Sequence, residues 1–404
     1  MRSDMINKNY DLLPENYLFA GISEKIAQYQ KKNPGAEIIR LGIGDVTQPL
    51  VPAVITAMHR AVDEMASAQT FRGYGPEQGY AFLREAIATG EYAPRGVQLS
   101  ADEIFISDGS KCDVANFQEL FSTDCRVAVP DPVYPVYLDS NVMSGRGGEA
   151  GPDGRFSRIA YLPCLAELDF QPELPPKGTD IIYLCSPNNP TGTVLSRATL
   201  EKFVDFAKKN DALILFDAAY ANYIQDDALI HSIYEIPGAR ECSVEFRSFS
   251  KSAGFTGVRC AFTVVPHELE KLRRMWLRRQ TTKFNGVNYI VQRAAEAVYC
   301  PDGVAQCREV IARYMANAEV IRKGLQKCGF TVYGGTHAPY IWWQLPDSIG
   351  SFEFFDRLLE RCAVVGTPGG GFGPEGENYF RLTAFGDPEK TIQAISRISR
   401  TTLF

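Results

Sequence analysis

Three polar side chains stand just after short apolar runs in the middle of the chain, and an arginine follows them. Asn189 lies in SPNNPTG, Asp217 opens DAAY, Lys251 closes SFSK, and Arg259 comes eight residues later. Open α/β sheets bind their ligands at the carboxyl ends of such strands. A lysine amine can form a Schiff base with an aldehyde and can then move protons. The set therefore indicates covalent carbonyl chemistry at one edge of a sheet.

A second signal is a turn that precedes a helix. The segment SDGSK, residues 107–111, follows the apolar run EIFI and opens a helical pattern. Backbone N–H groups at a helix N-terminus bind phosphate, and Ser110 and Lys111 add a hydroxyl group and a positive charge. This turn is therefore a candidate phosphate site.

Each of these residues, taken alone, also has a structural explanation. Asn189 before a proline is typical of a turn, and Asp217 could cap a helix. Lys251 could be a surface lysine, and Arg259 could belong to an ion pair. The order and spacing of the set are more specific, since Asp217 follows Asn189 by 28 residues and Lys251 follows Asp217 by 34.

The surrounding sequence predicts the elements that must hold these residues. Between about residues 103 and 265, apolar β-branched runs alternate with helical patterns, which predicts a mainly parallel sheet between two layers of helices. After about residue 290 a long helical stretch precedes several strands, which predicts a smaller α+β domain. We expect an N-terminal arm and part of the small domain in 1–50, a large domain in 51–290, and a small C-terminal domain in 291–404. The predicted strands of the large domain are EIFISDG, RVAVPDP, IAYLPC, IIYLCSP, ALILFDAAY, CSVEFRSFS and GVRCAFTVV.

Composition excludes several classes of function. The chain has 404 residues, of which 45% are hydrophobic and 22% charged, and its net charge is −6. These values predict a globular protein with no overall electrostatic attraction to nucleic acid or to an anionic membrane. The ten cysteines form no C-x-x-C pair and the four histidines have no ligand spacing, so we expect reduced thiols and no metal site. The sequence has neither a signal peptide nor a run of about 18 apolar residues, so we expect a cytoplasmic protein.

Over nearly its whole length the chain resembles the fold-type I aminotransferases that use pyridoxal phosphate. NNPTG and SFSK…GVR are typical of that broad group, and RGYGPEQG and TTKFNG point to the narrower LL-diaminopimelate aminotransferase family. The resemblance implies the α/β fold of the fold-type I pyridoxal-phosphate transferases. The other supporting stretches are ENYLF, LGIGDVTQP, FISDGSK, DPVYPVYLD, LFDAAYANYI, SIYEIPGAR, YGGTHAPYIW, TPGGGFGP and YFRLTAFG.

The resemblance also assigns roles around pyridoxal 5'-phosphate. It implies that Lys251 binds the aldehyde and transfers the proton, while Asp217 keeps the pyridine nitrogen protonated. Asn189 and the catalytic Tyr220 would bind the ring's 3′ oxygen and tune the Schiff base, and Tyr134 would stack on the ring. It assigns the phosphate to a further set of residues: Ser110, Lys111, Ser248, Ser250, Arg259 and, from a partner subunit, Tyr74. A shared site of this kind implies a homodimer.

For the substrate, the resemblance places Arg381 at the amino-acid carboxylate, where a guanidinium can form two parallel hydrogen bonds. Arg381 could instead form an ion pair on a strand. Glu77 would meet the distal ammonium of diaminopimelate, although it could equally face solvent in its loop. The remaining substrate-binding positions are Tyr17, Gly44 and Asn285, with Lys111, Tyr134 and Asn189 shared with the cofactor.

The implied reaction transfers an amino group from glutamate to tetrahydrodipicolinate and yields LL-diaminopimelate and 2-oxoglutarate, a step of lysine biosynthesis. Three alternatives remain open at this point. The first is a related aminotransferase that acts on lysine or an aromatic amino acid. The second is a pyridoxal-phosphate decarboxylase or lyase, and the third is a regulator that binds the cofactor without turnover.

Overall fold

Helices and strands alternate along the chain, whose structure is a computed structural model that describes residues 5–13, 18–42 and 44–404. The helices are α1 Leu18–Lys32, α2 Pro52–Met65, α3 Ala81–Ile87, α4 Ser110–Phe117, α5 Val136–Met143, α6 Arg197–Asn210, α7 Phe249–Ser252, α8 Glu270–Lys283, α9 Tyr289–Glu296, α10 Pro301–Lys327, α11 Ser351–Cys362 and α12 Pro388–Ser399. The strands are β1 Ile39–Arg40, β2 Ile104–Ser107, β3 Val127–Asp131, β4 Ile159–Pro163, β5 Ile181–Cys185, β6 Leu213–Asp217, β7 Ser243–Ser248, β8 Ala261–Val264, β9 Val332–Gly334, β10 Tyr340–Gln344, β11 Val364–Val365, β12 Thr367–Pro368 and β13 Tyr379–Thr383.

The larger sheet has seven strands in the order β2-β8-β7-β6-β5-β3-β4. Its strand pairs are parallel except for the two that β8 forms with β2 and β7. Alternate residues of β5 enter different apolar cores: Ile182 and Leu184 pack on one face, and Ile181 and Tyr183 on the other. Because both faces are covered, the strands are continuous apolar runs, and the predicted α/β architecture is confirmed.

A smaller sheet has four antiparallel strands in the order β12-β13-β10-β9. It shares an apolar core with α10, α11 and α12. The N-terminal segment joins the same core, since β1 pairs in parallel with β11, and Ile22 and Ile26 of α1 are buried there. The smaller α+β unit is thus present, while the domain limits at residues 50 and 290 stay a prediction.

One helical sequence pattern does not form a continuous α-helix. The run AFLREAIATGEYA, 81–93, is α-helical only through Ile87 and continues as a π turn over Ala88–Tyr92. Gly90 lies in this turn against the ring of Tyr299, where a Cβ atom would approach Cδ1 to 2.6 Å. Tertiary packing therefore overrides the local helical pattern.

The ten cysteines are free thiols, and six of them are buried. Within 5–13, 18–42 and 44–404, no helix combines the length and the apolar character that crossing a bilayer requires.

Candidate active site

A cavity of about 560 Å³ opens at the carboxyl ends of β5, β6 and β7, with residues of β10, β12 and β13 on its other side. The structure therefore brings residues from the two sheets to one place. Twelve of the residues selected from the sequence line the cavity: Gly44, Ser110, Lys111, Tyr134, Asn189, Asp217, Tyr220, Ser248, Ser250, Lys251, Arg259 and Arg381.

Lys251 lies in the short helix α7, which begins directly after β7. The hydroxyl oxygen of Ser248 accepts the backbone N–H of Ser250 at 3.1 Å and so caps that helix. The Lys251 amine donates to the carbonyl oxygen of Gly44. Burial lowers its pKa from 10.5 to about 8, and the cations of Arg381, Arg259 and Lys111 add to this effect against the attraction of Asp45. A substantial fraction of the amine is therefore neutral, and able to act as a nucleophile or base, near pH 8.

Asp217 ends β6 and is 7% exposed. Its carboxylate accepts hydrogen bonds from the Tyr137 hydroxyl at 2.6 Å and from the backbone N–H of Ala219 at 3.1 Å. Burial raises its pKa, because both of these donors are neutral and compensate only part of the lost hydration. A cationic group facing Asp217, such as a protonated ring nitrogen, would stabilise the buried carboxylate.

Two tyrosines build the wall on which a flat ring could stack. Tyr134 lies edge-to-face with Tyr137, with ring centroids 5.8 Å apart. The Lys111 ammonium lies 5.8 Å from the centroid of the Tyr134 ring. Tyr137 thus contacts both the stacking tyrosine and Asp217. The sequence analysis did not select it, and its only local signal is its place in DPVYPVYLD, three residues after Tyr134.

On the far side, Arg381 of β13 is 1% exposed. Its Nη1 donates to Oδ1 of Asn189 at 2.5 Å, and its Nη2 donates to the carbonyl oxygen of Gly42 at 2.9 Å. The guanidinium lies between the rings of Tyr340 and Phe372, at 4.8 and 4.7 Å from their centroids. The cation therefore has a fixed orientation next to Asn189, and the carboxylate role remains compatible with this placement.

Tyr220 and Tyr340 share a hydrogen bond between their hydroxyl groups, and their ring centroids are 5.0 Å apart. Burial raises the pKa of both phenols, so both are protonated donors at neutral pH. Tyr340 was not selected from the sequence, because nothing in YGGTHAPYIW marks this tyrosine as facing a site. It connects the smaller sheet to the residue predicted to contact the cofactor oxygen.

The predicted phosphate site also comes together. Gly109 is the N-cap of α4, so Ser110 and Lys111 are the first residues of the helix. Nη1 of Arg259 lies 3.4 Å from the Ser250 hydroxyl oxygen, and a Cβ atom at Gly109 would collide with the Arg259 guanidinium. Arg259 itself has a left-handed φ of 62°, an uncommon conformation for a non-glycine residue. Helix N–H groups, hydroxyl groups and a guanidinium form the donor set that a phosphate ester needs.

Three selected residues do not line this cavity. Tyr74 is 91% exposed, Glu77 is half-buried, and Asn285 is exposed. They belong to two adjacent segments, since a Cβ atom at Gly286 would lie 3.1 Å from the carbonyl oxygen of Pro76. Within a single chain, these residues therefore lie outside the cavity that contains Lys251 and Arg381. Tyr17 lies outside the described residues.

A buried lysine, an aspartate without a cationic hydrogen-bond donor and a phosphate donor set are together the features of a pyridoxal-phosphate enzyme. The profile of the aminotransferase class I and II family matches residues 36–398. The chain therefore belongs to this family and is a transaminase whose cofactor is pyridoxal 5'-phosphate. The predicted activity class and cofactor are confirmed.

Several similar proteins share one name within this family. A protein of Agathobacter rectalis named LL-diaminopimelate aminotransferase is 58% identical over 97% of this chain and 98% of its own length. A protein of Methanosphaera stadtmanae with the same name is 55% identical over 98% of both chains. The solved structure of L,L-diaminopimelate aminotransferase from Chlamydomonas reinhardtii superposes with a TM-score of 0.92 at 44% identity, covering 98% of each chain.

Proposed function

We propose that this transaminase exchanges an amino group between LL-diaminopimelate and 2-oxoglutarate, with glutamate and tetrahydrodipicolinate as the partners in the biosynthetic direction. The observation that carries the proposal is the 58% and 55% identity, over nearly the whole chain, to two proteins named LL-diaminopimelate aminotransferase. The step would serve lysine biosynthesis. Cytoplasmic localisation stays a prediction.

The proposed chemistry needs one group to move a proton and one to hold the substrate. The cofactor, when bound, supplies a protonated pyridine ring that takes up electrons from the substrate α-carbon. Lys251, with its pKa near 8, would remove the proton from that α-carbon and deliver it to the aldehyde carbon of the cofactor. Asp217, which accepts a hydrogen bond from Tyr137, would stabilise the protonated ring nitrogen. Arg381 binds the α-carboxylate next to Asn189 and so orients the α-carbon towards Lys251.

The residues that would hold the cofactor divide by its chemical groups. Tyr134 would stack on the ring, while Asn189 and Tyr220 would donate hydrogen bonds to its 3′ oxygen. For the phosphate, the α4 N-terminus supplies backbone N–H groups and Arg259 supplies a positive charge. The hydroxyl groups and the ammonium that complete the phosphate set come from Ser110, Lys111, Ser248 and Ser250.

We further propose that two copies of the chain share their sites. Tyr74 and its neighbour Phe71 are 91% and 58% exposed, although both are large aromatic residues. Exposed aromatic side chains grouped in this way are typical of an interface. A partner subunit that covers this loop would bring its own Tyr74, Glu77 and Asn285 to the cavity, where Glu77 would meet the distal ammonium of diaminopimelate.

The substrate proposal is tested on the purified protein by its visible absorbance. Addition of LL-diaminopimelate should bleach the cofactor band, and addition of 2-oxoglutarate should restore it. L-lysine and L-phenylalanine are the matched controls, since lysine keeps the distal ammonium of diaminopimelate but lacks its distal carboxylate. Faster bleaching by either control than by LL-diaminopimelate would contradict the proposal.

The shared site is tested by mixing two inactive variants. Lys251→Ala lacks the reacting amine, and Tyr74→Phe lacks the phenol offered to the partner. A mixed dimer contains one complete site, so unfolding and refolding an equal mixture should restore about a quarter of the wild-type activity. A mixture no more active than its components, with mixed dimers verified by mass, would contradict a shared site.

A further inference from the structure

Asp113 is a buried carboxyl group in the first turns of α4, behind the residues proposed to hold the phosphate. Its side chain is 2% exposed. Its Oδ2 accepts a hydrogen bond from the Ser107 hydroxyl at 2.6 Å and another from the Thr263 hydroxyl at 2.7 Å. Ser107 ends β2 and Thr263 lies in β8, which pairs with β2. One carboxylate oxygen therefore joins two strands to the start of the helix.

These contacts continue into the turn itself. The Ser107 hydroxyl oxygen lies 3.4 Å from the backbone nitrogen of Gly109, which donates to it. The backbone N–H of Asp113 donates to the carbonyl oxygen of Gly109 at 3.1 Å. Asp113 thus contacts both ends of the turn 107–109, which determines where Ser110 begins the helix. Arg259 packs directly against Gly109.

Among the residues that the structure describes, no cation contacts the Asp113 carboxylate directly. Its pKa is raised to about 7, chiefly by burial and in smaller part by the nearby carboxylate of Asp108. The hydroxyl groups of Ser107 and Thr263 and the more distant charge of Arg279 on α8 act in the opposite direction. Because this pKa lies above the ordinary carboxyl value of about 4, Asp113 lowers the stability of the fold as the pH rises from about 4 to about 7.

We propose that Asp113 is a positioning residue for the cofactor phosphate, because it fixes the β2–α4 turn against β8. It acts through Ser107 and Thr263 and does not itself touch the phosphate. With this turn fixed, the helix N–H groups, the Ser110 hydroxyl and the Arg259 guanidinium converge on one point. The inference rests on the phosphate site proposed above.

The test compares the affinity of the full chain for pyridoxal 5'-phosphate with its affinity for pyridoxal, which has the same ring and aldehyde but no phosphate. Cofactor is removed and each compound is returned by equilibrium dialysis. Asp113→Ala leaves two hydroxyl groups without their acceptor and should weaken pyridoxal phosphate roughly tenfold, with a change under about twofold for pyridoxal. Asp113→Asn keeps an acceptor oxygen and should restore most of that affinity. Thr263→Val removes one donor and should cause a smaller loss with the same selectivity.

Two further variants make the outcome decisive. Val114 lies in the same helix and is 1% exposed. Val114→Ala creates a cavity away from the turn, so it should lower thermal stability without changing the ratio of the two affinities. Arg259→Gln should weaken the binding of pyridoxal phosphate much more than that of pyridoxal. If it does not, the phosphate site and this inference both fail. If Arg259→Gln shows this selective loss while Asp113→Ala and Thr263→Val change both affinities equally or not at all, only the role of Asp113 is wrong. Thr263→Val carries the comparison if Asp113→Ala does not fold.

Discussion

Replacement of Arg381 by lysine tests the centre of the proposed substrate site. The guanidinium donates to Asn189 at 2.5 Å and to Gly42 at 2.9 Å, and it is stacked between Tyr340 and Phe372. Lysine keeps the positive charge but loses the planar fork that binds a carboxylate with two hydrogen bonds and packs between two rings. Arg381 itself is only 1% exposed, so water would compensate little for the contacts that lysine loses.

Loss of such a buried charged contact corresponds to about 2–5 kcal/mol in kcat/KM, or roughly 30- to 5,000-fold. Because the α-carboxylate is common to all substrates, the loss should be similar for LL-diaminopimelate, glutamate and 2-oxoglutarate. Single-turnover absorbance measurements with each compound give the three losses separately. Arg40→Lys is the matched control, since Arg40 also lines the cavity but is exposed, and we expect less than about a fivefold change. A loss confined to diaminopimelate would refute the assignment and place Arg381 at the distal end of the substrate.

Four further predictions concern the cofactor and the substrate. Lys251→Ala should bind the cofactor without a covalent link and lose nearly all turnover; borohydride reduction followed by peptide mass mapping should label Lys251 in the wild type, and a label on another lysine would refute the role. In wild-type protein freed of cofactor, the rate of cofactor capture should rise with pH and level off above about 8, because the pKa of Lys251 is lowered to about 8 and only the neutral amine attacks; a rise that continues to pH 10 would contradict this. Asp217→Ala should reduce turnover by several orders of magnitude while cofactor absorbance remains, and near-normal rates would reduce Asp217 to a structural residue. Glu77→Gln should weaken LL-diaminopimelate by about 10- to 150-fold and leave glutamate nearly unchanged in single-turnover assays, whereas equal effects would make Glu77 a loop residue.

The parallel part of the site follows from the sequence alone. The runs IIYLC, ALILF and CSVEFRS are each followed directly by polar residues, and they become β5, β6 and β7 of one sheet. Because parallel neighbours end at the same edge, Asn189, Asp217 and Lys251 had to meet there. The helical pattern that follows EIFI likewise placed the SDGSK turn at the start of α4.

The rest of the cavity depends on contacts between distant segments. Arg381, Tyr340 and Phe372 come from the last third of the chain and meet Asn189 only because the smaller sheet packs against the ends of the larger one. No local pattern distinguishes Tyr137, which reaches Asp217, from the other tyrosines of the chain. Contacts of this kind have no sequence period, so only the folded arrangement reveals them.

Side-chain types and strand order thus determined which chemistry the chain can perform. Tertiary structure decided the pKa of each reacting group. The amine of Lys251 acquires a pKa near 8 because folding removes it from water and surrounds it with Arg381, Arg259 and Lys111. The carboxyl groups of Asp217 and Asp113 have raised pKa values for the same reason, burial without a directly bonded cation. Desolvation depends on everything packed around a group, and that environment is assembled from the whole chain and cannot be read from neighbouring residues.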